Sequence, residues 1–149
     1  MMNLIPLLDL YRFVLPGFFL ITPGLASAEN KPHAPQSIQN VTVVSAEQVI
    51  ENILTNPDLL IIDSRKKSEY MKGHIEGAVN ILNTRLKQSD LERLSPDKTK
   101  TILFYCNGTR CLRSSDSINK AKRWGYKKLI WFRGGWKEWT EKRLPVITY

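Results

Sequence analysis

Two continuous apolar runs constrain the fold of this chain more than any other feature. Residues 59–62 and 101–105 are short, apolar and rich in β-branched or aromatic side chains. Strands of this kind are buried on both faces and are typical of parallel sheets that helices cover. Shorter strand patterns at 41–44, 79–81 and 128–132 alternate with segments of helical spacing. The sequence therefore predicts an α/β domain with a mainly parallel sheet.

Local signals predict where several helices begin and end. Ser45 followed by Gln48 matches a capping box, which predicts a helix that starts directly after Ser45. Two short polar helices are expected at 84–88 and 91–94. A longer helix should follow the second apolar run and stop at Gly125, because glycine is the usual residue just beyond a helix end.

The first 40 residues predict export of the chain. Residues 1–28 contain an apolar core and end in Ala26-Ser27-Ala28, a small-residue cleavage site typical of a secretory signal peptide. The apolar run is shorter than the ~20 residues that a membrane span needs, which favours cleavage over an uncleaved anchor. Residues 29–40 are polar and contain two prolines, so we expect a flexible lead-in before a domain at 41–149. A periplasmic or secreted protein without a membrane span after cleavage is the expected product.

The charge of the chain limits the partners that it is expected to bind. The formal net charge is +8, and eleven of the 22 Lys and Arg residues lie between residues 110 and 143. No helix-turn-helix, zinc-finger or RNA-binding signature accompanies them, so nucleic acid is not the expected partner. A small anionic substrate or an acidic partner protein suits this charge better. With only two histidines and two cysteines, ligand count and spacing predict no metal site.

The segment between the second apolar run and the helix after it carries the chemistry. Cys106 directly follows the strand and faces the amino end of the helix, where unpaired N–H groups and the helix dipole favour a thiolate. Arg110 and Arg113 add positive charge, and Gly108 lets the loop curl so that its amides can point inward. The pattern predicts a reactive thiolate at Cys106. A buried unreactive cysteine and a disulfide with Cys111 stay open as alternatives.

Three polar residues elsewhere are candidates for supporting this loop. Asp63 and Arg65 follow the first apolar run, so a parallel sheet would place them at the same edge as Cys106. His74 lies between two glycines and could act as a general base or as a structural residue in a tight turn. The structural role is favoured, because nothing nearby suggests a base–nucleophile pair.

Four motifs occur in one order along the chain, and together they carry a resemblance. They are Asp63-x-Arg65, the block Glu69-Tyr70-x-x-Gly73-His74-Ile75-x-Gly77-Ala78, a strand that ends in Cys106 with Arg-Ser downstream, and Gly134-Gly135-Trp136-x-x-Trp139. Over about residues 40–147 the chain resembles a single-domain rhodanese, a sulfurtransferase. The resemblance implies an α/β fold with a central five-stranded parallel sheet. It also implies a loop cysteine that attacks a sulfane-sulfur donor such as thiosulfate, with no metal or organic cofactor.

The same resemblance implies a role for each candidate residue. Cys106 becomes the nucleophile that carries a persulfide, and a thiol or a cyanide-like molecule becomes the acceptor. Asp63, Arg65 and His74 become structural supports. The donor-binding segment, whose backbone amides would hold the terminal sulfur, comprises Asn107, Gly108, Thr109, Arg110, Cys111, Leu112 and Arg113.

The loop departs from the common rhodanese spacing in one respect. Arg113-Ser114 lies two residues later than the usual C-x4-R-S pair, and Cys111 stands where the arginine is expected. Two hypotheses follow. In the first, the protein is a sulfurtransferase that acts through a Cys106 persulfide, and the side chain of Cys111 points outward as an accessory thiol. In the second, Cys106 and Cys111 form a disulfide in a redox-active or non-catalytic module, whose basic carboxyl-terminal third docks an acidic partner. The first hypothesis is favoured.

Overall fold

The computed structural model describes residues 32–149, so the predicted signal peptide and the first residues of the lead-in lie outside the described residues. Five strands alternate with five helices in this part of the chain. The strands are β1 (Thr42–Val43), β2 (Leu60–Asp63), β3 (Ala78–Asn80), β4 (Thr101–Tyr105) and β5 (Lys128–Phe132). The helices are α1 (Ala46–Thr55), α2 (Lys67–Met71), α3 (Gln88–Leu94), α4 (Arg113–Arg123) and α5 (Gly135–Glu141). Within residues 32–149, no helix is both long and apolar enough to cross a membrane.

The sheet is parallel throughout, and its strand order is β1-β5-β4-β2-β3. The two apolar runs of the sequence are the adjacent strands β2 and β4, and β4 is the middle strand. Asp63 pairs in register with Tyr105, which in turn pairs with Phe132, so the three longest strands end at one edge. Helices cover both faces of the sheet, as two separate apolar clusters show. The prediction of an α/β fold with a five-stranded parallel sheet is confirmed.

Helix boundaries follow the predictions at α1 and α4 but not between β3 and β4. The capping box of Ser45 and Gln48 is present, and Gly125 follows α4 with φ +89°. The prediction of a helix at 84–88 is wrong, because the chain there forms only a turn closed by hydrogen bonds to the carbonyl of Leu82. α3 begins later because the Asp90 carboxylate accepts a hydrogen bond from the N–H of Lys87 and caps the helix there.

The described part of the lead-in packs against the domain, in contrast to the flexible segment expected over 29–40. The N–H of Ala34 donates to the carbonyl of Thr109 at 2.9 Å, and Ala34 itself is buried. The guanidinium of Arg133 donates to the carbonyls of Ala34 and Pro35. These contacts hold the lead-in beside the loop that contains the two cysteines.

Candidate active site

The loop that joins β4 to α4 lies at the carboxyl edge of the sheet. Hydrogen bonds to its backbone carbonyls hold it there. The carbonyl of Cys106 accepts a hydrogen bond of 2.8 Å from the N–H of Trp136, and the carbonyl of Asn107 accepts one of 3.0 Å from Lys137. Both donors belong to the first turn of α5, whose unpaired N–H groups need acceptors. The start of α5 therefore fixes the position of the first residues of the loop.

Gly135 makes this close approach of two backbones possible. Its φ is +57°, and a Cβ on it would lie 2.2 Å from the carbonyl oxygen of Cys106. No other residue type fits so close to a carbonyl, and a side chain also disfavours the left-handed backbone. The glycine pair that contributed to the resemblance therefore has a steric role at the candidate site.

Cys106 is enclosed at the bottom of the loop, with only 1% of its surface exposed. Its Sγ lies 3.0 Å from the Oγ of Ser114 and 3.3 Å from the carbonyl oxygen of Cys111. Ser114 accepts a hydrogen bond from the indole of Trp131, so its own hydroxyl hydrogen is free to point at the sulfur. Burial raises the pKa of Cys106 well above the usual range, and a hydrogen bond to the side chain of Cys111 raises it further. The hydroxyl and the N–H of Ser114 act in the opposite direction and lower the pKa of Cys106.

Cys111 is half-buried, and its carbonyl oxygen is the one that lies 3.3 Å from the sulfur of Cys106. Its sulfur accepts a hydrogen bond of 3.3 Å from the Nε of Arg113. A hydrogen bond from the side chain of Cys106 lowers the pKa of Cys111 to about 5, together with the backbone N–H groups of Asn107 and Arg113 and against the effect of burial. The guanidinium of Arg113 is the charged donor at this sulfur, and it favours a thiolate at Cys111.

Two expectations for the loop are corrected by this geometry. The side chain of Cys111 was expected to point outward, but it is half-buried and its sulfur contacts the Nε of Arg113 at 3.3 Å. The amides from Asn107 to Arg113 were expected to surround the nucleophile together, but the N–H of Cys111 donates to the carbonyl of Gly108 instead. That tight turn reverses the chain within the loop and brings the carbonyl of Cys111 back to the sulfur of Cys106.

Glu69 closes the loop from the outside, a role that sequence analysis did not predict. Its carboxylate accepts hydrogen bonds from Asn107 at 2.5 Å and from Arg113 at 2.7 Å, and so links the two ends of the loop. Burial alone would raise the pKa of Glu69, but the hydrogen bonds from Arg113 and Asn107 lower it to about 2. The only hint in the sequence is its place in the Glu69-Tyr70 motif, since the pairing joins segments 38 and 44 residues apart.

Asp63 and Arg65 form a buried ion pair beneath the same edge, with a shortest N–O distance of 2.6 Å. Tyr105 donates its hydroxyl to Asp63 at 2.6 Å, and the guanidinium of Arg65 also donates to the carbonyl of Gly73. Tyr105 directly precedes Cys106, so the pair contacts the strand that presents the cysteine. These contacts favour the predicted structural role, which stays a prediction.

His74 lies in a different set of contacts from the two thiols. Its backbone exchanges two hydrogen bonds of 3.0 Å with Ile147, and its ring stacks on Tyr70 with a centroid distance of 3.7 Å. The ring also stacks on Tyr149. A structural role for His74 stays a prediction, and it is one that these contacts favour.

A cavity of about 780 Å³ opens over the loop. All seven residues of the predicted donor-binding segment line it, whereas Cys106, Asp63, Arg65 and His74 do not. Lys137 of α5 and Pro32 of the lead-in complete the wall, and sequence analysis predicted neither. The side chains of Arg110, Arg113 and Lys137 make the lining cationic, although Arg113 is paired with Glu69 and Lys137 with Glu141. The cavity therefore combines one accessible thiol with positive charge. The lining residues are Pro32, Asn107, Gly108, Thr109, Arg110, Cys111, Leu112, Arg113 and Lys137.

Fold and loop together define an α/β protein with a pair of thiols at the carboxyl edge of a parallel sheet. Residues 45–142 match the rhodanese-like domain, and the chain belongs to this family.

Other proteins are similar to this chain in sequence or in fold. The chain is 24% identical to the YibN protein of Escherichia coli K12 over 96 residues, which cover 64% of this chain and 65% of YibN. It is 33% identical to the tRNA uridine(34) hydroxylase of Photorhabdus laumondii over 111 residues, which cover 69% of this chain and 30% of the hydroxylase. The chain thus spans less than two thirds of each relative. Among solved structures, it is similar to the thiosulfate sulfurtransferase of Pseudomonas aeruginosa, with a TM-score of 0.59 and 21% identity over 72% of this chain and 20% of that one.

Proposed function

We propose that this protein is a sulfurtransferase that moves a sulfane sulfur from thiosulfate or a similar donor to a thiol or cyanide-like acceptor. The observation that carries the proposal is the cationic cavity over the loop, with Cys111 in its wall and Cys106 directly behind. A persulfide on this loop is the intermediate. Either thiol can serve: Cys106, the carrier that the sequence predicts, or Cys111, which reaches the cavity.

The chemistry consists of two displacements at sulfur. A thiolate of the loop attacks the outer sulfur of thiosulfate, the S–S bond of the donor breaks, and sulfite leaves with the electron pair. The acceptor then attacks the outer sulfur of the persulfide, takes it, and regenerates the thiolate. Arg110 and Lys137 lie where they can meet the negative charge of the donor. The proposal involves no metal or organic cofactor.

The proposal also covers where the protein works and what it meets there. The signal sequence predicted over residues 1–28 supports export to the periplasm or beyond, and the net charge of +8 supports an acidic partner protein. Cell fractionation of the full chain, with the amino terminus of the mature protein sequenced, tests the first of these. A protein that stays in the cytoplasm with residues 1–28 attached would contradict export.

Steady-state turnover tests the activity itself. The wild-type protein is given cyanide with thiosulfate or, in a parallel sample, with polysulfide, and thiocyanate is measured. A double variant with Cys106→Ser and Cys111→Ser is expected to lose turnover while its melting temperature stays close to that of the wild type. Absence of thiocyanate from the wild type with both donors would contradict the proposal, as would turnover retained by a folded double variant.

A second candidate function follows from the contact between the two cysteines. The sulfur of Cys106 lies 3.3 Å from the carbonyl oxygen of Cys111, so the two residues are neighbours that oxidation could join in a disulfide. The protein would then be a redox-active or binding module. Titration of free thiols in protein taken from the exported fraction separates the two functions. Two titrating thiols favour the sulfurtransferase, and none favours the disulfide-bonded module.

A further inference from the structure

We infer that a second cavity, lined by residues 66–68, 80–82 and Arg85, is the docking site for an acidic segment of the protein that accepts the sulfur. The inference rests on the proposed function and names the kind of acceptor that the same loop serves. It follows from the place of the second cavity on the sheet, from the three cations in its wall, and from the contacts that occupy most of the basic residues elsewhere.

The second cavity lies on the same edge of the sheet as the loop of the two cysteines. In the register of the strands, Asp63 pairs with Tyr105 on one side and with Asn80 on the other. Cys106 directly follows Tyr105, and Asn80 is already part of the wall of the second cavity. Neighbouring strands lie ~4.8 Å apart, so the ends of β4 and β3 are separated by about 10 Å. A protein segment that docks in the second cavity therefore has residues within reach of the loop.

One turn of α2 separates the second cavity from the loop. Lys66 and Lys67 line the second cavity, whereas Glu69 of the same turn accepts hydrogen bonds from Asn107 and Arg113 of the loop. The N–H of Lys66 also donates to the carboxylate of Glu69 at 2.9 Å. The backbone that carries the two lysines is thus fixed relative to the loop.

The second cavity has a volume of about 570 Å³ and carries three cations in its wall. Lys66, Lys67 and Arg85 are all exposed, and none of them forms an ion pair with an acid of the described residues. The ammonium of Lys67 lies 4.8 Å from the ring centroid of Tyr70, a contact that leaves its charge in place. The described residues of the wall include no carboxylate. The second cavity is therefore positive and attracts carboxylates.

Most basic residues of the carboxyl-terminal third, where the sequence predicted the docking of an acidic partner, are already engaged within the chain. Eleven Lys and Arg residues lie between residues 110 and 143. Six of them contact a carboxylate or a backbone carbonyl of the chain, namely Arg113, Lys120, Lys122, Arg133, Lys137 and Lys142. The cations of the second cavity have no such partner acid, so they are better placed to bind one from outside.

The rest of the wall favours a protein segment over other anions. Ile81 and Leu82 add apolar surface beside the cations, which the side chains of a protein cover and a free inorganic anion does not. The described residues of the wall include no aromatic side chain on which a nucleic acid base could stack. An acidic protein segment with a neighbouring cysteine is the occupant that suits both the wall and the loop.

Docking would act on the second half of the transfer. The thiolate of the acceptor attacks the outer sulfur of the loop persulfide, the persulfide S–S bond breaks, and the thiolate of the loop leaves with the electron pair. The acceptor then holds the sulfur as its own persulfide. An acidic segment in the second cavity raises the local concentration of the acceptor thiol, so it speeds transfer to an acidic acceptor and not to cyanide.

Single-turnover transfer to two matched peptides tests the inference. One peptide has a cysteine, a linker of four residues that spans about 13 Å when extended, and four glutamates, and the other has glutamines in their place. Wild-type protein is loaded with thiosulfate, freed of donor and mixed with each peptide, and mass spectrometry measures the peptide persulfide after alkylation. The glutamate peptide is expected to react about tenfold faster at low salt, and this advantage should largely disappear in about 0.5 M NaCl.

Two triple variants of equal charge show whether the second cavity is responsible. Combined Lys66→Gln, Lys67→Gln and Arg85→Gln should remove most of the advantage of the glutamate peptide, with cyanide turnover and melting temperature close to those of the wild type. The control combines glutamine at three exposed cations near the amino edge of the sheet, and it should keep the advantage. These are Arg123, Lys127 and Lys128. Equal loss in both variants would show an effect of net charge and overturn the inference.

Binding of labelled peptides, with serine in place of cysteine, is measured by fluorescence anisotropy and needs no donor. The glutamate peptide should bind more tightly than the glutamine peptide, and the variant of the second cavity should weaken its binding by about fivefold. Equal binding of both peptides, with thiocyanate turnover intact, would overturn the inference alone. Displacement of the peptide by millimolar phosphate at constant ionic strength would show a site for small anions and overturn it too. Selective peptide binding by a wild type that makes no thiocyanate would support the docking site and contradict the proposed function.

Discussion

Arg113 contacts both the carboxylate that closes the loop and the sulfur of Cys111, a residue of the cavity wall. Its Nη1 lies 2.7 Å from Glu69 and its Nε lies 3.3 Å from the sulfur of Cys111. A guanidinium can donate to the carboxylate and to the sulfur at the same time, because its N–H groups lie in one plane and point in different directions. Arg110, by contrast, is exposed and forms no ion pair among the described residues. The two arginines therefore have different roles at the same cavity.

Replacing Arg113 should affect the reactivity of Cys111 directly. In Arg113→Gln we expect the pKa of Cys111 to rise, because a charged donor to the thiolate is lost. At a pH below the Cys111 pKa of about 5, alkylation of Cys111 should slow by about tenfold, which corresponds to a rise of one pKa unit. The pH profile of iodoacetamide labelling measures this shift. Arg123→Gln, a change at an exposed arginine at the end of α4, is the matched control. An unchanged profile in Arg113→Gln would contradict the role given to this guanidinium.

Replacing Arg110 should affect donor binding instead. Arg110→Gln is expected to raise KM for thiosulfate several-fold, because one unpaired cation of the cavity is lost. The pH profile of Cys111 labelling should shift much less than in Arg113→Gln, since Arg110 is not among the donors to that sulfur. Initial-rate kinetics with cyanide as acceptor give KM. If the labelling profile of Arg110→Gln shifts while its KM does not, the role in donor binding given to Arg110 is contradicted.

At the scale of elements, the loop is held by neighbours on two sides. The first turn of α5 binds its backbone, and α2 closes it through Glu69. Neither helix contains a cysteine, yet both fix the position of the loop that does. Changes in α2 or α5 should therefore alter the chemistry of the thiols as well as the stability of the fold.

Gly135→Ala tests the contact between α5 and the loop. A Cβ at this position would overlap the carbonyl oxygen of Cys106, and φ is +57°, so we expect a loss of about 2 kcal/mol or more in the free energy of unfolding. Gly77→Ala is the matched control, because its φ is +76° but nothing lies within 4 Å of the added Cβ. It should cost only about 1 kcal/mol through backbone strain. Denaturant unfolding measures both, and equal losses would contradict the steric role of Gly135.

Glu69→Gln tests the closure by α2, and its effect should depend on pH. The pKa of Glu69 is about 2 in the folded protein, below its usual 4.5, so ionised Glu69 stabilises the fold. That contribution is fully present above about pH 4.5 and is lost as the pH falls toward 2. Near neutral pH the variant should therefore be less stable by about 1 kcal/mol, as expected for a partly exposed ion pair.

Thermal melting across this pH range, with the exposed Glu76→Gln as control, measures the effect. The difference between Glu69→Gln and the wild type should shrink toward low pH. A difference that stays constant down to pH 2 would show that the loss does not come from the charge of Glu69.

At the scale of the whole molecule, the sheet could be predicted and the inside of the loop could not. The runs at 59–62 and 101–105 determine the parallel sheet, because their apolar character depends on local sequence alone. That sheet places Asp63 and Cys106 at one edge, as expected. The direction of the Cys111 side chain depends instead on one turn, in which Cys111 donates to Gly108. The pattern of apolar and polar residues in the sequence does not predict such a turn.

Contacts between distant segments account for the other differences. Glu69 reaches across 38 and 44 residues to Asn107 and Arg113, and Arg133 reaches across 98 and 99 residues to Pro35 and Ala34. Each of these pairs joins a common polar side chain either to another one or to a backbone carbonyl, and such groups occur many times in the chain. A single sequence does not show which of them will meet, so the closure of the loop and the packing of the lead-in emerged only from the structure.

The most direct measurement of the central claim counts the sulfur that the loop captures. Wild-type protein is reduced, mixed anaerobically with excess thiosulfate, freed of donor, and then treated with cyanide. Thiocyanate should amount to one sulfur per chain, because the loop thiolate holds the sulfur as a persulfide until cyanide removes it. The double variant Cys106→Ser with Cys111→Ser should give none. Absence of captured sulfur from the wild type, or an equal amount on the double variant, would contradict sulfur transfer by this loop.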